Sequence, residues 1–191
     1  LGFGGPATGQ PRSYGRKAWT EHALAPLDTL GVGPVDIIGN SMGGAIALSI
    51  AVARPHAVRR LVLMGSMGVA MALPAGLNTV WGYTPGVVQM RKVIGLFAHD
   101  RTLITNELVE MRYQASLRTE VRDSWQAMFP EPRQRWVDDL ALSAAELASI
   151  NVPALLVHGR DDRAVPWRAS SGQLIDLLPD ARLHVISGCG H

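Results

Sequence analysis

The sequence predicts an α/β fold, a mostly parallel sheet flanked by helices, and three observations predict it. Four short β-prone runs, Val35–Gly39, Arg60–Met64, Ala154–His158 and Arg182–Ile186, each close on glycine and a polar cluster. Stretches of helical period separate them, the spacing of strand–helix–strand units. The runs are short and mostly apolar, as in the buried strands of a parallel sheet. Such sheets gather their chemistry at the carboxyl ends of the strands.

Residues 1–15 are dense in Gly and Pro, lack an apolar period and read as loop. Their Gly-x-Gly pair has no strand before it, and Pro6 stands where a phosphate-binding helix would start, so it is no phosphate loop. From Lys17 to Leu30 apolar residues recur at helical spacing (Ala18, Trp19, His22, Ala23, Leu27, Leu30), and Gly31 sits at the C-cap position. Ala45–Ala53 reads as a helix after the first strand, stopped by Pro55. Residues 74–150 break the rhythm with helical segments at Val87–Phe97, Asn106–Ser116, Glu120–Met128 and Gln134–Ser149, and they hold most of the aromatics. The expected organisation is a core of residues 1–73, a helical cap of 74–150 and a return to the core over 151–191.

Composition narrows the class. The chain has 191 residues, 47% hydrophobic and 18% charged, enough to bury one sizeable core and too apolar for a disordered module. Cys189 is the single cysteine, so no internal disulfide scaffold can form. A net charge of +2 with scattered Lys and Arg shows no stripe for nucleic acid. No apolar run reaches the roughly 18–20 residues of a membrane span. A soluble, cytoplasmic protein without nucleic-acid or membrane partners is expected, and a homo-oligomer is compatible with it.

Gly39-Asn40-Ser41-Met42-Gly43 is a Gly-x-Ser-x-Gly sequence between a predicted strand and a predicted helix. The physical sense is a sharp turn that strains the serine, exposes its hydroxyl and aims the Met42 N–H at the same spot to hold an oxyanion. A serine hydroxyl needs a base, and the base an orienting carboxylate. Asp161 and Asp162 follow the third strand and His191 the fourth, giving the chain order Ser, Asp, His. Asp162 is preferred over Asp161, which reads as a solvated turn or a partner of Arg160 or Arg163. His22, His56, His99, His158 and His184 show no convergent carboxylate pattern and read as structural. Cys189 reads as packing, and Trp81, Trp125 and Trp136 as cap core.

Taken with Arg59–Ser66, Trp81–Pro85, Met111–Ser116, Met128–Pro130, Pro132–Asp138, His158–Asp162 and Cys189–His191, the Gly39–Gly44 motif resembles the α/β-hydrolase superfamily. Within it the chain is most similar to the meta-cleavage product hydrolases acting on 2-hydroxymuconate semialdehyde. The resemblance implies the α/β-hydrolase fold with a helical cap. It implies Ser41 as nucleophile or activator of water, His191 as acid/base and Asp162 as its orienter, with Met42 giving one oxyanion N–H. Arg112 matches a cap arginine that grips the oxygen-rich end of an anionic dienoate, and Asn40 a polar pocket residue. The implied reaction ketonises the dienol and then hydrolyses a C–C bond, giving 2-hydroxypenta-2,4-dienoate and a carboxylic acid, in the degradation of aromatic compounds. No metal or organic cofactor is implied. Relatives of this kind carry a strand and a His-Gly loop before the segment that opens here and a helix after the histidine, so the chain is expected to be an internal piece of a longer frame. An ester hydrolase with the same triad and a non-catalytic binder on the same fold remain as alternatives, and a buried cation at the far end of the pocket separates the first from a C–C hydrolase.

Overall fold

A computed structural model describes residues 14–191; most of the predicted N-terminal loop, with its Gly-x-Gly pair and Pro6, lies outside the described residues. Four parallel strands, β1 (Val35–Asn40), β2 (Val58–Met64), β3 (Ala154–Gly159) and β4 (Ala181–Ile186), lie side by side in chain order. Gly39 is opposite Leu63, Leu63 opposite Leu156 and Leu156 opposite Leu183, so all four carboxyl ends open on one edge. Burial follows position in this sheet. β3 is covered along its length, whereas β1 and β4 alternate partly buried and exposed residues, with Ile38 69% exposed. The expectation of four buried runs therefore holds at the centre and fails at the two outer strands, each of which has a neighbour on one side only among the described residues.

Helix α1 (Arg16–Leu30) matches the predicted span, with Gly31 left-handed at its end. Its inner stripe is displaced from the predicted one. Trp19, Thr20 and Leu24 are buried, whereas His22 is exposed and Leu30 is 71% exposed. α2 (Met42–Ala53) follows β1 after a single residue and is almost wholly buried through small side chains such as Ala45 and Ala47, which let it approach the sheet and α1. Leu48, Leu61, Leu63, Leu156 and Leu174 form the centre of the core between α2, the sheet and α9 (Ser171–Leu177). Each such leucine contributes about 1.5–3 kcal/mol by leaving water.

Between β2 and β3 run α3 (Ala75–Trp81), α4 (Val87–Phe97), α5 (Asn106–Ser116), α6 (Thr119–Met128), α7 (Gln134–Leu140) and α8 (Ala144–Ala148). The helix predicted over Gln134–Ser149 is two. The Leu142 N–H leaves the helical ladder for the Gly68 carbonyl at 2.9 Å, burying Leu142, and Ser143 restarts the helix with Glu146 in a capping box. That Ser-x-x-Glu signal is present in the sequence. An aromatic cluster binds these helices to the core. Phe129 stacks on Trp81 at 4.7 Å and meets Trp136 and Trp125 edge-on, while Trp19 joins it from α1. Such pairs add about 0.5–1.5 kcal/mol each beyond burial.

Candidate active site

The turn from β1 to α2 is one residue, Ser41, and it carries φ 55° and ψ −120°, the only positive φ outside glycine among the described residues. Such a backbone costs about 1–3 kcal/mol and persists only where its surroundings over-determine it. Here they do. The Ser41 N–H donates to Met64 at 2.9 Å, and its carbonyl accepts from Gly44 and Met67 at 3.0 Å each. The glycines that make room are 39 and 44 rather than the motif's second glycine. A Cβ on Gly39 would lie 2.5 Å from the Gly43 carbonyl oxygen and one on Gly44 2.0 Å from Ser66 Oγ, whereas Gly43 has open space. Met42 is the first residue of α2, where N–H groups have no helical carbonyl to meet and remain available to an anion. Asn40 is exposed and its Nδ2 donates to the Met64 carbonyl at 3.1 Å, on the same oxygen that receives the Ser41 amide. Ser41 Oγ makes no hydrogen bond among the described residues.

Farther along the same edge of the sheet, after β3 and β4, His191 Nδ1 stands 2.6 Å from Asp162 Oδ2, the histidine ring nearly covered and the carboxylate fully so. A Cβ on Gly65, in the loop after β2, would lie 3.1 Å from the His191 ring. The loop of residues 64–67 thus touches His191 through Gly65 and Ser41 through Met64 and Met67, so serine, histidine and aspartate gather at the carboxyl ends of β1 to β4. Asp162 Oδ1 accepts the amides of Ala164 and Val165 at 2.8 Å each. Burial opposes its charge, but the hydrogen bonds from His158 and His191, the His191 charge and the Val165 amide outweigh burial and hold its pKa at about 2, down from 3.8.

A depressed carboxylate stabilises the fold above its unfolded pKa of about 4 and loses that contribution as pH falls through about 2. The expected contribution near neutrality is roughly 2 kcal/mol. In urea unfolding, the stability gap between wild type and Asp162→Asn should be constant above pH ~4 and shrink as pH falls through ~2, below which the carboxyl is neutral in both states. A gap independent of pH would show that the charge contributes nothing.

Asp161 pairs with neither Arg160 nor Arg163. Its Oδ2 accepts the Gly188 N–H at 2.9 Å and stands 3.5 Å from His99 Nδ1, while its own amide donates to Cys189 at 2.9 Å. It therefore anchors the loop that delivers His191. Phe97, at the end of α4, anchors that loop from the other side by accepting the His191 N–H at 2.9 Å.

A cavity of about 600 Å³ opens among α3 to α6. Val80, Met90, Val93, Ile94, Phe97 and Trp125 give it an apolar wall. Arg112, on α5, also lines it but is exposed, not the buried cation expected, and has no hydrogen-bond or ionic partner among the described residues, whereas Arg118 and Arg122 on the same cavity pair with Glu120 and Asp123. Phe97 connects the cavity to the site, its ring 5.5 Å from that of His191. Among the described residues no three His, Cys, Asp or Glu side chains cluster as metal ligands, and no helix is long and apolar enough to cross a membrane.

The α/β-hydrolase-fold family pattern matches residues 17–191. Over all 191 residues the chain is 49% identical to 2-hydroxymuconate semialdehyde hydrolase of Pseudomonas putida, spanning 68% of that protein. It is 47% identical to a 2-hydroxy-6-oxo-2,4-heptadienoate hydrolase of Pseudomonas putida, spanning 69% of it. A meta-cleavage product hydrolase from Pseudomonas fluorescens superposes on the whole chain with a TM-score of 0.96 at 40% identity, the chain covering 70% of it. The chain belongs to the meta-cleavage product hydrolases of the α/β-hydrolase family. In this hydrolase the strained Ser41, Asp162, His191 and Arg112 lie in four separate places, the β1–α2 turn, the loops after β3 and β4, and α5.

Two histidine readings need correction in this hydrolase. His158 and His99 both face carboxylates, Asp162 at 3.1 Å and Asp161 at 3.5 Å, because the ends of β3 and α4 converge on the β4 loop. The His99 pairing was not legible in sequence, its partner lying 62 residues away. His158 precedes Asp162 by four residues, a proximity in the chain that did signal the contact. Trp81 and Trp136 are buried, whereas Trp125 is half-buried and lines the cavity.

Proposed function

We propose that the protein hydrolyses the carbon–carbon bond of 2-hydroxy-6-oxo-dienoates, the meta ring-fission products of aromatic degradation, through Ser41, His191 and Asp162. The observation that carries this reading is the His191–Asp162 bond. With Nδ1 committed to the carboxylate, Nε2 is the ring nitrogen left to take and return a proton.

In this reading residues 74–150 act as a cap over the core of residues 1–73 and 151–191. The Arg112 guanidinium receives the substrate carboxylate and adjoining oxygen, a planar fork suited to two anionic oxygens. The apolar wall holds the conjugated chain, and Phe97 leads its distal carbonyl toward His191. After ketonisation of the dienol, Ser41, or a water that it orients, adds to that carbonyl while His191 Nε2 takes the proton. The Met42 N–H, with Asn40 beside it, faces the oxyanion. Collapse breaks the C–C bond and the electron pair passes into the conjugated fragment, which His191 reprotonates; if water was the nucleophile the acid is released at once, and if Ser41 was, a water then hydrolyses the acyl-serine to the acid. For a semialdehyde the acid is formate. Substrate and products are small water-soluble anions, which supports a cytoplasmic enzyme with a freely diffusing partner; a homo-oligomer is compatible with the reading, and sizing chromatography decides it.

Arg112→Leu tests the substrate class. The expected outcome is a loss of about one to two orders of magnitude in kcat/KM for a ring-fission dienoate, followed by the decay of its yellow absorbance, with little change for a p-nitrophenyl ester. A charge-assisted contact is worth roughly 1.5–3 kcal/mol, and only the dienoate presents anionic oxygens to it. Equal losses on both substrates would give Arg112 a folding role and favour an ester hydrolase.

A further inference from the structure

One buried imidazole remains outside the proposed chemistry. The His158 side chain, on β3, is fully covered. Its Nε2 lies 2.8 Å from the Val165 carbonyl oxygen and 3.1 Å from Asp162 Oδ2, and its Nδ1 2.7 Å from Ser171 Oγ. Both neighbours of Nε2 are acceptors, so Nε2 carries a proton and donates to them. The Ser171 hydroxyl completes Nδ1. Asp162 then receives four N–H groups, the amides of Ala164 and Val165 on Oδ1 and the rings of His158 and His191 together on Oδ2.

Two donors on one carboxylate oxygen compete for its charge. We infer that His158 is a positioning residue for the triad, fixing the plane of the Asp162 carboxylate and, by sharing Oδ2, dividing its charge between the two rings. The inference rests on the proposed roles of Asp162 and His191. Other titratable groups around the pair are Asp161 and His99, which flank the loop carrying His191, and Asp100 beside His99. None of them has a hydrogen bond to Oδ2 of Asp162.

Removing the His158 N–H leaves Oδ2 to His191 alone and concentrates the carboxylate charge on the one remaining ring N–H. The experiment is an NMR titration of the His191 ring in protein with labelled histidines, beside kcat and KM against pH for a ring-fission dienoate. H158L is expected to raise the His191 midpoint by about half to one unit, to move the acid limb of kcat up equally, and to lower kcat about tenfold with KM unchanged. H158Q, whose amide N–H reaches the position of Nε2, should restore the midpoint and most of kcat. If H158L does not fold, S171A carries the test, because it frees Nδ1 and lets the ring tilt from Oδ2, with a smaller upward shift expected. A His191 midpoint that is unmoved or lowered in the folded variant, or that H158Q does not restore, overturns the inference and leaves His158 a packing residue. Absence of wild-type turnover would instead defeat the reading of the reaction, while the His191 midpoint would still decide the role of His158.

Discussion

Ser41→Ala is expected to abolish turnover of ring-fission dienoates, on the order of 10³-fold or more in kcat, while binding persists. The serine occupies the one strained non-glycine position among the described residues, and its backbone is held by Met64, Gly44 and Met67 rather than by its side chain. Alanine therefore keeps the turn and loses only the hydroxyl, which has no hydrogen bond among the described residues to give up. Stability should change little, and relief of neither strain nor packing can mask the loss. Binding of the dienoate, followed by its spectral shift in the variant, should survive because Arg112 and the cavity wall are untouched. A variant keeping more than about a tenth of wild-type kcat, where triad losses run to 10³-fold, would remove Ser41 from the reaction.

Asp162→Asn is the second large effect, with a kcat loss on the order of 10⁴-fold expected from loss of the correct histidine tautomer. Its Oδ1 position would still accept the Ala164 and Val165 amides, so the new NH₂ must face the His191 and His158 rings. Donor then meets donor. His191 escapes by moving its proton to Nε2, and the nitrogen meant to accept from Ser41 is already occupied. Asp161→Asn is the control. The amide oxygen can still take the Gly188 N–H, so kcat should fall by no more than a few-fold, as for a neutral hydrogen bond of about 1 kcal/mol. The reverse ranking would transfer the orienting role to Asp161.

The α1, α4, α5 and α6 spans and the four strands were legible because each carries its own period and its own stop, such as Gly31 after α1. The break between α7 and α8 was missed although Ser143 and Glu146 announce it, since the apolar period of Trp136, Val137, Leu140 and Leu147 runs through both. Short helices α3 and α9 were missed for the opposite reason. Seven residues make too few turns to show a period.

By itself the sequence determined the turn chemistry at Ser41, because a Gly-x-Ser-x-Gly run between a strand and a helix encodes a local conformation. It also determined which strand ends carry Asp162 and His191. The tertiary structure alone decided how these groups meet. Parallel strands are joined by long crossovers, so residues 29 apart in the chain, Asp162 and His191, become hydrogen-bonded partners only when the register aligns β3 with β4. Tertiary packing likewise sets Asp161 against Gly188 and His99, forms the apolar cavity among α3 to α6, and leaves Ile38 of β1 exposed. Which face of a strand is covered, and which carboxylate oxygen two histidines share, depend on neighbours distant in the chain, and no local pattern carries that information.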